Sequence, residues 1–211
     1  MRPKAILFDL DGTILPFDGI IKHLQLTSKH FCVRVPTKKE LLERAMGYSL
    51  KEIIPKIIPE TKDIIDEFRK YYKRNYNADV KNIKPFSYAR DVMVLVKRKK
   101  IKIGIVTTKR NHQSRVTLKY YKLPFDVLVG FDNVKKRKPD PEPIFKACKK
   151  LRVLPKDCIF VGDHPFDMQA AKAAGCFALG VTVGFGNKKT LKKAGADLVV
   201  KDLRSLKKLL Q

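Results

Sequence analysis

The sequence lacks the long apolar segments that mark membrane and secreted proteins. No apolar run approaches the roughly 20 residues that a helix needs to span a bilayer, and the chain reaches Asp9 before a secretory hydrophobic segment could form. It has only four cysteines, with no C-x-x-C pair, which favours reduced core thiols over a zinc site or a disulfide framework. We therefore expect a cytoplasmic protein without a membrane partner.

Acidic residues are scarce compared with basic ones. The 211 residues include 21 Asp and Glu against 46 Lys and Arg, which gives a formal net charge of +25. Such a charge is compatible with nucleic acid, an acidic membrane or a small anionic substrate as a partner. The basic residues are spread along the whole chain, however, and this distribution is typical of a solvated surface rather than of a dedicated binding tail.

Short apolar runs alternate with helical patterns over most of the chain. This alternation is typical of βαβ units around a parallel sheet that is covered on both faces. The sequence therefore predicts an α/β fold with a Rossmann-like parallel sheet. The predicted strands are 5–10, 101–106, 126–129, 158–161, 177–181 and 197–200, and the predicted helices are 88–99, 113–121, 141–150, 166–174, 191–193 and 203–210.

The interval from residue 16 to residue 85 has helical patterns and no strand-like run. Thr37 with Glu40, and Ser49 with Glu52, have the spacing of capping boxes at helix starts. An interval of roughly 70 residues is too long for an ordinary loop. We therefore expect a core domain of residues 1–15 and 86–211, with an inserted all-helical domain of residues 16–85.

Polar side chains follow three of the predicted strands. Asp9 and Asp11 follow the first, Thr107 the second and Asp163 the fourth along the chain. Ligands of open α/β sheets bind beyond the carboxyl ends of the strands, so these groups should converge. Several acids at one point repel each other unless a cation joins them, and oxygen ligands suit Mg²⁺. The pattern predicts a Mg²⁺ site that also receives a phosphate, with Lys138 balancing the remaining charge.

These motifs resemble those of the haloacid dehalogenase (HAD) superfamily of hydrolases over essentially the full chain. The phosphoglycolate-phosphatase-like subgroup, which has a helical cap between the first motif and the second strand, is the most similar one. The resemblance implies the HAD fold, with the helical insertion as the cap. It rests on four motifs in the family's order: Asp9-Leu10-Asp11-Gly12-Thr13, Thr107, Lys138 within Lys138-Pro139-Asp140-Pro141, and Gly162-Asp163 with Asp167.

Carried over residue by residue, the resemblance implies covalent phosphoryl transfer. Asp9 would attack phosphorus and form an aspartyl phosphate, while Asp11 would act first as general acid and then as general base. Mg²⁺ would be held by Asp9, by the backbone carbonyl of Asp11 and by Asp163, with Asp167 in support. The residues that would bind the phosphoryl oxygens are Thr107, Thr108 and Lys138.

The resemblance also implies a reaction class. True dehalogenases have an aromatic residue at position 11, whereas an acid suits a phosphate-ester leaving group. We therefore expect a Mg²⁺-dependent phosphatase of small phosphate monoesters, with phosphoglycolate as the leading substrate. A phosphomutase or a pyrophosphatase is the alternative, although mutases usually have an acid where this chain has Gly162. The residues expected to select the substrate from the cap are Arg44, Tyr48, Ser49 and Lys51.

The sequence also leaves open a function of another class, that of a basic nucleic-acid-binding protein with a vestigial catalytic site. Residues 69–76 interleave basic and aromatic side chains, as nucleic-acid surfaces do, but a helix with buried tyrosines would show the same pattern. The complete set of motif residues argues against this rival. We expect a small phosphorylated substrate rather than nucleic acid as the main partner, and a homodimer through the insertion is also left open.

Overall fold

A computed structural model of the chain describes residues 3–44 and 50–211, and six parallel strands in these residues form one sheet. The strands are β1 (Ala5–Phe8), β2 (Lys102–Val106), β3 (Val127–Val129), β4 (Cys158–Gly162), β5 (Phe177–Val181) and β6 (Leu198–Val200). Their order is β3-β2-β1-β4-β5-β6, so β1 lies between β2 and β4. Each strand lies within or beside a predicted run, and the predicted Rossmann-like parallel sheet is confirmed.

The contacts within the chain divide it into two units. One comprises Met1–Pro16 with Lys84–Gln211 and contains the sheet, and the other comprises Phe17–Ile83. The described part of the second unit contains helices and no strand. Its α-helices are α1 (Asp18–His30), α2 (Lys38–Arg44), α3 (Leu50–Ile57) and α4 (Ile65–Ala78).

The structure of the helical unit explains two of its sequence patterns, the capping box at Thr37 and the aromatic residues of 69–76. The capping box at the start of α2 is present, because the Glu40 N–H donates to the Thr37 hydroxyl at 3.1 Å and the Thr37 N–H donates to the Glu40 carboxylate at 2.9 Å. The second predicted box includes Ser49, which lies outside the described residues. Tyr72 and Tyr76 of α4 are buried in the unit's own core, so packing accounts for much of the aromatic pattern in residues 69–76.

The remaining helices belong to the unit that contains the sheet: α5 (Ala89–Arg98), α6 (Asn111–Tyr120), α7 (Glu142–Leu151), α8 (Pro165–Ala174), α9 (Lys188–Lys193) and α10 (Leu206–Leu209). Helix α9 begins before its predicted start at Leu191, because the Asn187 side chain caps it by accepting from the Thr190 N–H at 2.9 Å. Within the described residues, no helix combines the length and the apolar character needed to cross a membrane.

Both faces of β1 are covered, which explains its uninterrupted apolar sequence. Successive side chains of a strand point to opposite faces, and accordingly Ile6 and Phe8 pack in one apolar cluster while Leu7 packs in another. Gly104 of β2 makes room for Leu7, because a Cβ at residue 104 would lie 2.5 Å from Leu7 Cδ2. This packing holds Asp9, the residue that follows β1, at a fixed place on the edge of the sheet.

Truncation of Leu7 tests how much of the stability depends on this central strand. Leu7 is fully buried, whereas Leu154 is 57% exposed. We expect Leu7→Ala to lower the free energy of unfolding by about 2–5 kcal/mol, because the substitution removes apolar contacts and leaves a cavity. Leu154→Ala makes the same chemical change at the surface and should cost less than about 1 kcal/mol. Urea unfolding followed by circular dichroism measures both, and equal losses would contradict the assignment of Leu7 to the core.

Candidate active site

The carboxyl ends of β1, β2 and β4 meet at one edge of the sheet because these strands are neighbours. Asp9 directly follows β1, and its N–H donates to the Val161 carbonyl of β4 at 2.8 Å. Thr107 directly follows β2, and Asp163 directly follows β4. The three side chains thus extend from adjacent strand ends, which is where open α/β sheets bind ligands.

Three aspartates form a buried acidic cluster at this edge. Asp9, Asp163 and Asp167 each place one carboxylate oxygen within 4.8 Å of the others. Asp167 comes from the first turn of α8, where its second oxygen accepts from the His164 N–H at 3.0 Å and so helps to cap the helix. All three residues are at most 7% exposed.

Lys138 supplies the positive charge within the cluster. Its Nζ lies 2.7 Å from Asp9 Oδ1 and 2.6 Å from Asp167 Oδ1, and it also donates to the Val106 carbonyl at 3.3 Å. The side chain is buried. Burial alone would lower the pKa of Lys138, but the carboxylates of Asp167 and Asp9 raise this pKa above its ordinary value. Lys138 is therefore a permanent cation that joins two acids.

Asp163 is stabilised by dipoles rather than by a cation. The Thr13 hydroxyl donates to Asp163 Oδ1 at 2.9 Å, and the Phe185 N–H donates to Asp163 Oδ2 at 2.8 Å. No Lys or Arg whose side chain the structure describes forms an ion pair with Asp163. Burial, together with the charges of Asp9 and Asp167, raises the pKa of Asp163 well above its ordinary value.

The charges of the cluster fit a divalent cation. With all three carboxylates ionised, the one ammonium of Lys138 leaves two negative charges in a buried site. Burial raises the pKa of Asp9 to about 7, with Lys138 opposing the rise and Asp167 adding to it. Two uncompensated charges and a donor set made only of oxygen atoms are the properties of a site for a hard divalent cation.

Asp11 lies beside the cluster but has a different partner. Its Oδ1 accepts from Lys109 Nζ at 3.0 Å, and both side chains are nearly buried. The left-handed backbone at Gly12, with φ of 89°, turns the chain immediately after Asp11 and lets the Gly12 N–H reach the Leu15 carbonyl at 2.6 Å. The site therefore holds two neighbouring acids, Asp9 and Asp11, each paired with its own lysine.

Comparison with known proteins decides the family. The profile of the haloacid dehalogenase-like hydrolases matches residues 6–181. The chain belongs to this family. The pyrophosphatase PpaX of Anoxybacillus flavithermus is 32% identical over 214 residues, which cover 100% of this chain and 98% of the relative. The predictions of the family and of an enzyme of the hydrolase class are confirmed.

Solved structures agree with this membership. A haloacid dehalogenase-like hydrolase from Streptococcus pneumoniae superposes with a TM-score of 0.84 at 26% identity, with 99% of both chains covered. A predicted phosphoglycolate phosphatase from Haemophilus somnus superposes with a TM-score of 0.86 at 22% identity, covering 100% of this chain and 99% of that one, and shows the shared fold.

The other predicted site residues of this HAD-like hydrolase differ in how far the structure describes them. Thr107 is buried, and its hydroxyl accepts from the Lys109 N–H at 3.1 Å, while Thr108 is partly exposed in the same turn. Lys51 is exposed on α3 and lies 3.5 Å from the Asp66 carboxylate. Tyr48 and Ser49 lie outside the described residues, and only the backbone of Arg44 is described, as the end of α2.

Sequence reasoning missed Lys109. The signal was available, because Lys109 follows the Thr107-Thr108 pair at the end of β2. A lysine among 46 basic residues does not stand out, however, and its pairing with Asp11 spans 98 positions of the chain. Only the parallel pairing of β1 and β2 brings the two side chains together.

The raised pKa of Asp9 gives a prediction for this HAD-like hydrolase without metal. A carboxyl group whose pKa rises from 3.8 to about 7 on folding contributes stability while it is protonated, and this contribution is lost as the pH rises through that range. In a chelator, the wild type should therefore lose stability relative to Asp9→Asn between about pH 5 and about pH 8. Urea unfolding at both pH values measures this difference, and parallel profiles for the two proteins would contradict it.

Proposed function

We propose that this protein is a Mg²⁺-dependent phosphatase that forms an aspartyl phosphate on Asp9. The observation that carries the proposal is the buried cluster of three carboxylates joined by Lys138, which has two negative charges left for a divalent cation. Asp11, a second acid beside the nucleophile, supports a reaction that needs proton transfer to a leaving oxygen.

The residues that would hold Mg²⁺ are Asp9, Asp163 and the backbone carbonyl of Asp11, with Asp167 in support. When bound, Mg²⁺ cancels charge and polarises the phosphoryl group. Asp163 suits the role of ligand because only hydrogen-bond donors, and no ammonium group, satisfy its charge in the described part of the chain. Asp167 shares its oxygens with Lys138 and the His164 N–H, so its position is held by the protein itself.

In the first proposed step, a carboxylate oxygen of Asp9 attacks phosphorus. The bond between phosphorus and the leaving oxygen breaks, and protonated Asp11 gives its proton to that oxygen. Lys138 keeps Asp9 in place and offsets the charge that develops on the phosphoryl oxygens. The products of this step are the free alcohol, or free phosphate when the substrate is pyrophosphate, and the aspartyl phosphate.

In the second step, Asp11, which is now a carboxylate, takes a proton from water. The water oxygen attacks phosphorus, the bond to Asp9 breaks, and inorganic phosphate leaves with both aspartates in their starting states. Asp11 thus acts as the general acid in the first step and as the general base in the second. The residues that we propose to bind the phosphoryl oxygens during both steps are Thr107, Thr108 and Lys138.

The helical unit, Phe17–Ile83, is proposed to act as a cap that excludes water and selects the substrate. Its position in the sequence, directly after the Asp9 and Asp11 motif, supports this role. The residues proposed to contact the part of the substrate that is not transferred are Arg44, Tyr48, Ser49 and Lys51.

We propose a small phosphorylated compound as the substrate, with pyrophosphate as the first to test and phosphoglycolate as the second. The name of the PpaX relative, at 32% identity over the whole chain, supports pyrophosphate. The fold neighbour that is a predicted phosphoglycolate phosphatase supports phosphoglycolate as the second candidate substrate. A formal charge of +25 favours the more highly charged anion, because long-range attraction grows with the charge of the ligand.

Gly162 supports hydrolysis over phosphoryl transfer between sugars. A Cβ at this position would overlap the carboxylate of Asp167, so the site has no room for the acid that mutases of the superfamily usually have here. Any side chain at residue 162 must displace Asp167, which also holds Lys138.

Phosphate release with and without Mg²⁺ tests the proposed reaction. The wild type should release phosphate from pyrophosphate or phosphoglycolate with Mg²⁺ and stop in a chelator. Asp9→Asn should lower the rate by about 10³-fold or more, because the amide is not a nucleophile. The matched control is Asp91→Asn, since Asp91 is exposed on α5, and it should keep the wild-type rate. Full activity of Asp9→Asn would contradict the proposal.

Trapping of the intermediate gives a second, direct test. Acid quenching of a reaction with ³²P-labelled substrate should leave the label on the protein, and borohydride should then reduce the acyl phosphate at residue 9 to homoserine. Peptide mapping locates the change. A label on a serine or threonine would show that a different nucleophile is used.

A further inference from the structure

Lys109 lies at the active site, but no step of the proposed reaction uses it. Its Nζ donates to Asp11 Oδ1 at 3.0 Å, and the two side chains are only 8% and 15% exposed. Among the residues that the structure describes, no other group donates a hydrogen bond to the Asp11 carboxylate. The orientation of this carboxylate therefore depends on Lys109.

Hydrogen bonds hold the backbone of Lys109 through both its N–H and its carbonyl, so the side chain extends from a fixed position. Its N–H donates to the Thr107 hydroxyl at 3.1 Å, and its carbonyl accepts from the Phe131 N–H at 2.9 Å. Thr107 is in turn anchored to β3, because its N–H donates to the Val129 carbonyl at 3.0 Å. The ammonium group thus reaches Asp11 from a part of the chain that is tied to two strands.

The Asp11 backbone is fixed by the turn at Gly12, but two side-chain bonds can still rotate. Proton transfer to a leaving oxygen requires the acid to be in hydrogen-bond reach and correctly oriented, and small misplacements are costly. The contact between Lys109 Nζ and Asp11 Oδ1 limits the rotation of these two bonds.

We propose that Lys109 is a positioning residue that orients the Asp11 carboxyl group for proton transfer to the leaving oxygen. This inference rests on the proposed function, in which Asp11 protonates the leaving oxygen. In the first step of the reaction, the Asp11 O–H bond breaks and the proton passes to the leaving oxygen. Asp11 becomes a carboxylate that still accepts a hydrogen bond from Lys109. Lys109 itself neither gains nor loses a proton.

A merely structural ion pair between Lys109 and Asp11 would have different consequences. Its loss would lower the stability of the protein, or the activity towards all substrates by the same factor. A positioning role affects substrates according to their need for a proton. Nitrophenolate departs readily without protonation, whereas a simple alkoxide does not, so the two kinds of ester separate the alternatives.

The experiment compares kcat/KM for p-nitrophenyl phosphate and ethyl phosphate, since this ratio reports the steps up to loss of the leaving group. Lys109→Met removes the charge and keeps most of the apolar stem. It should lower kcat/KM about 10-fold or more with ethyl phosphate and less than about 3-fold with p-nitrophenyl phosphate. The matched control is Lys97→Met, which breaks the 2.6 Å ion pair with Asp126 and should leave both values unchanged.

A double variant shows whether Lys109 acts through Asp11. In the Asp11→Asn background, Lys109→Met should cause no further loss with ethyl phosphate, because the acid that it positions is already absent. Additive losses would overturn the inference. Lys109→Arg keeps the positive charge and should recover part of the activity with ethyl phosphate, which also provides a readout if the methionine variant does not fold.

The outcomes separate this inference from the proposed function. Equal losses with both esters in Lys109→Met, while the wild type still needs Mg²⁺ and Asp9, would overturn the positioning role and leave the phosphatase intact. Turnover that does not depend on Asp9 would overturn both. A selective loss with ethyl phosphate that disappears in the Asp11→Asn background supports both.

Discussion

The active site depends on one ammonium group that is held between two buried carboxylates. Lys138 contacts Asp9 and Asp167 at 2.7 and 2.6 Å and is almost inaccessible to water. Removing one partner from a buried ion pair costs about 3–5 kcal/mol, because the other charge is left uncompensated. In the described part of the chain, the third carboxylate, Asp163, has only the Thr13 hydroxyl and the Phe185 N–H as hydrogen-bond partners, so the described cluster has too little positive charge. That shortfall is the physical reason to expect a divalent cation.

The sheet makes this arrangement possible. Three neighbouring strands, β1, β2 and β4, each end in a polar residue at the same edge, while their apolar side chains pack on both faces. Gly162 lets Asp167 approach the strand closely, since a Cβ there would overlap its carboxylate. The two acids proposed to react have separate lysines, Lys138 for Asp9 and Lys109 for Asp11. Each of the two neighbouring carboxyl groups is thus held by its own cation.

The sequence predicted the fold and the acidic cluster because their signals are local. Short, mostly apolar runs predicted six strands, and the polar residues at the ends of three of them predicted where the carboxylates would meet. The sequence could not predict contacts that depend on tertiary packing. The pairing of Lys109 with Asp11 and the burial of Tyr72 and Tyr76 depend on which elements pack together. The early start of α9 was missed for another reason, because its cap at Asn187 precedes lysines without apolar periodicity.

The central claim is that the buried cluster lacks two positive charges and receives them from one divalent cation. Equilibrium dialysis against Mn²⁺, with bound metal counted by electron paramagnetic resonance, tests it without any substrate. One ion should bind strongly per chain at neutral pH, and none should bind to Asp163→Asn, a substitution that removes a proposed ligand and lowers the negative charge of the cluster. A wild-type protein that binds no ion, or an Asp163→Asn protein that binds it equally well, would contradict the account.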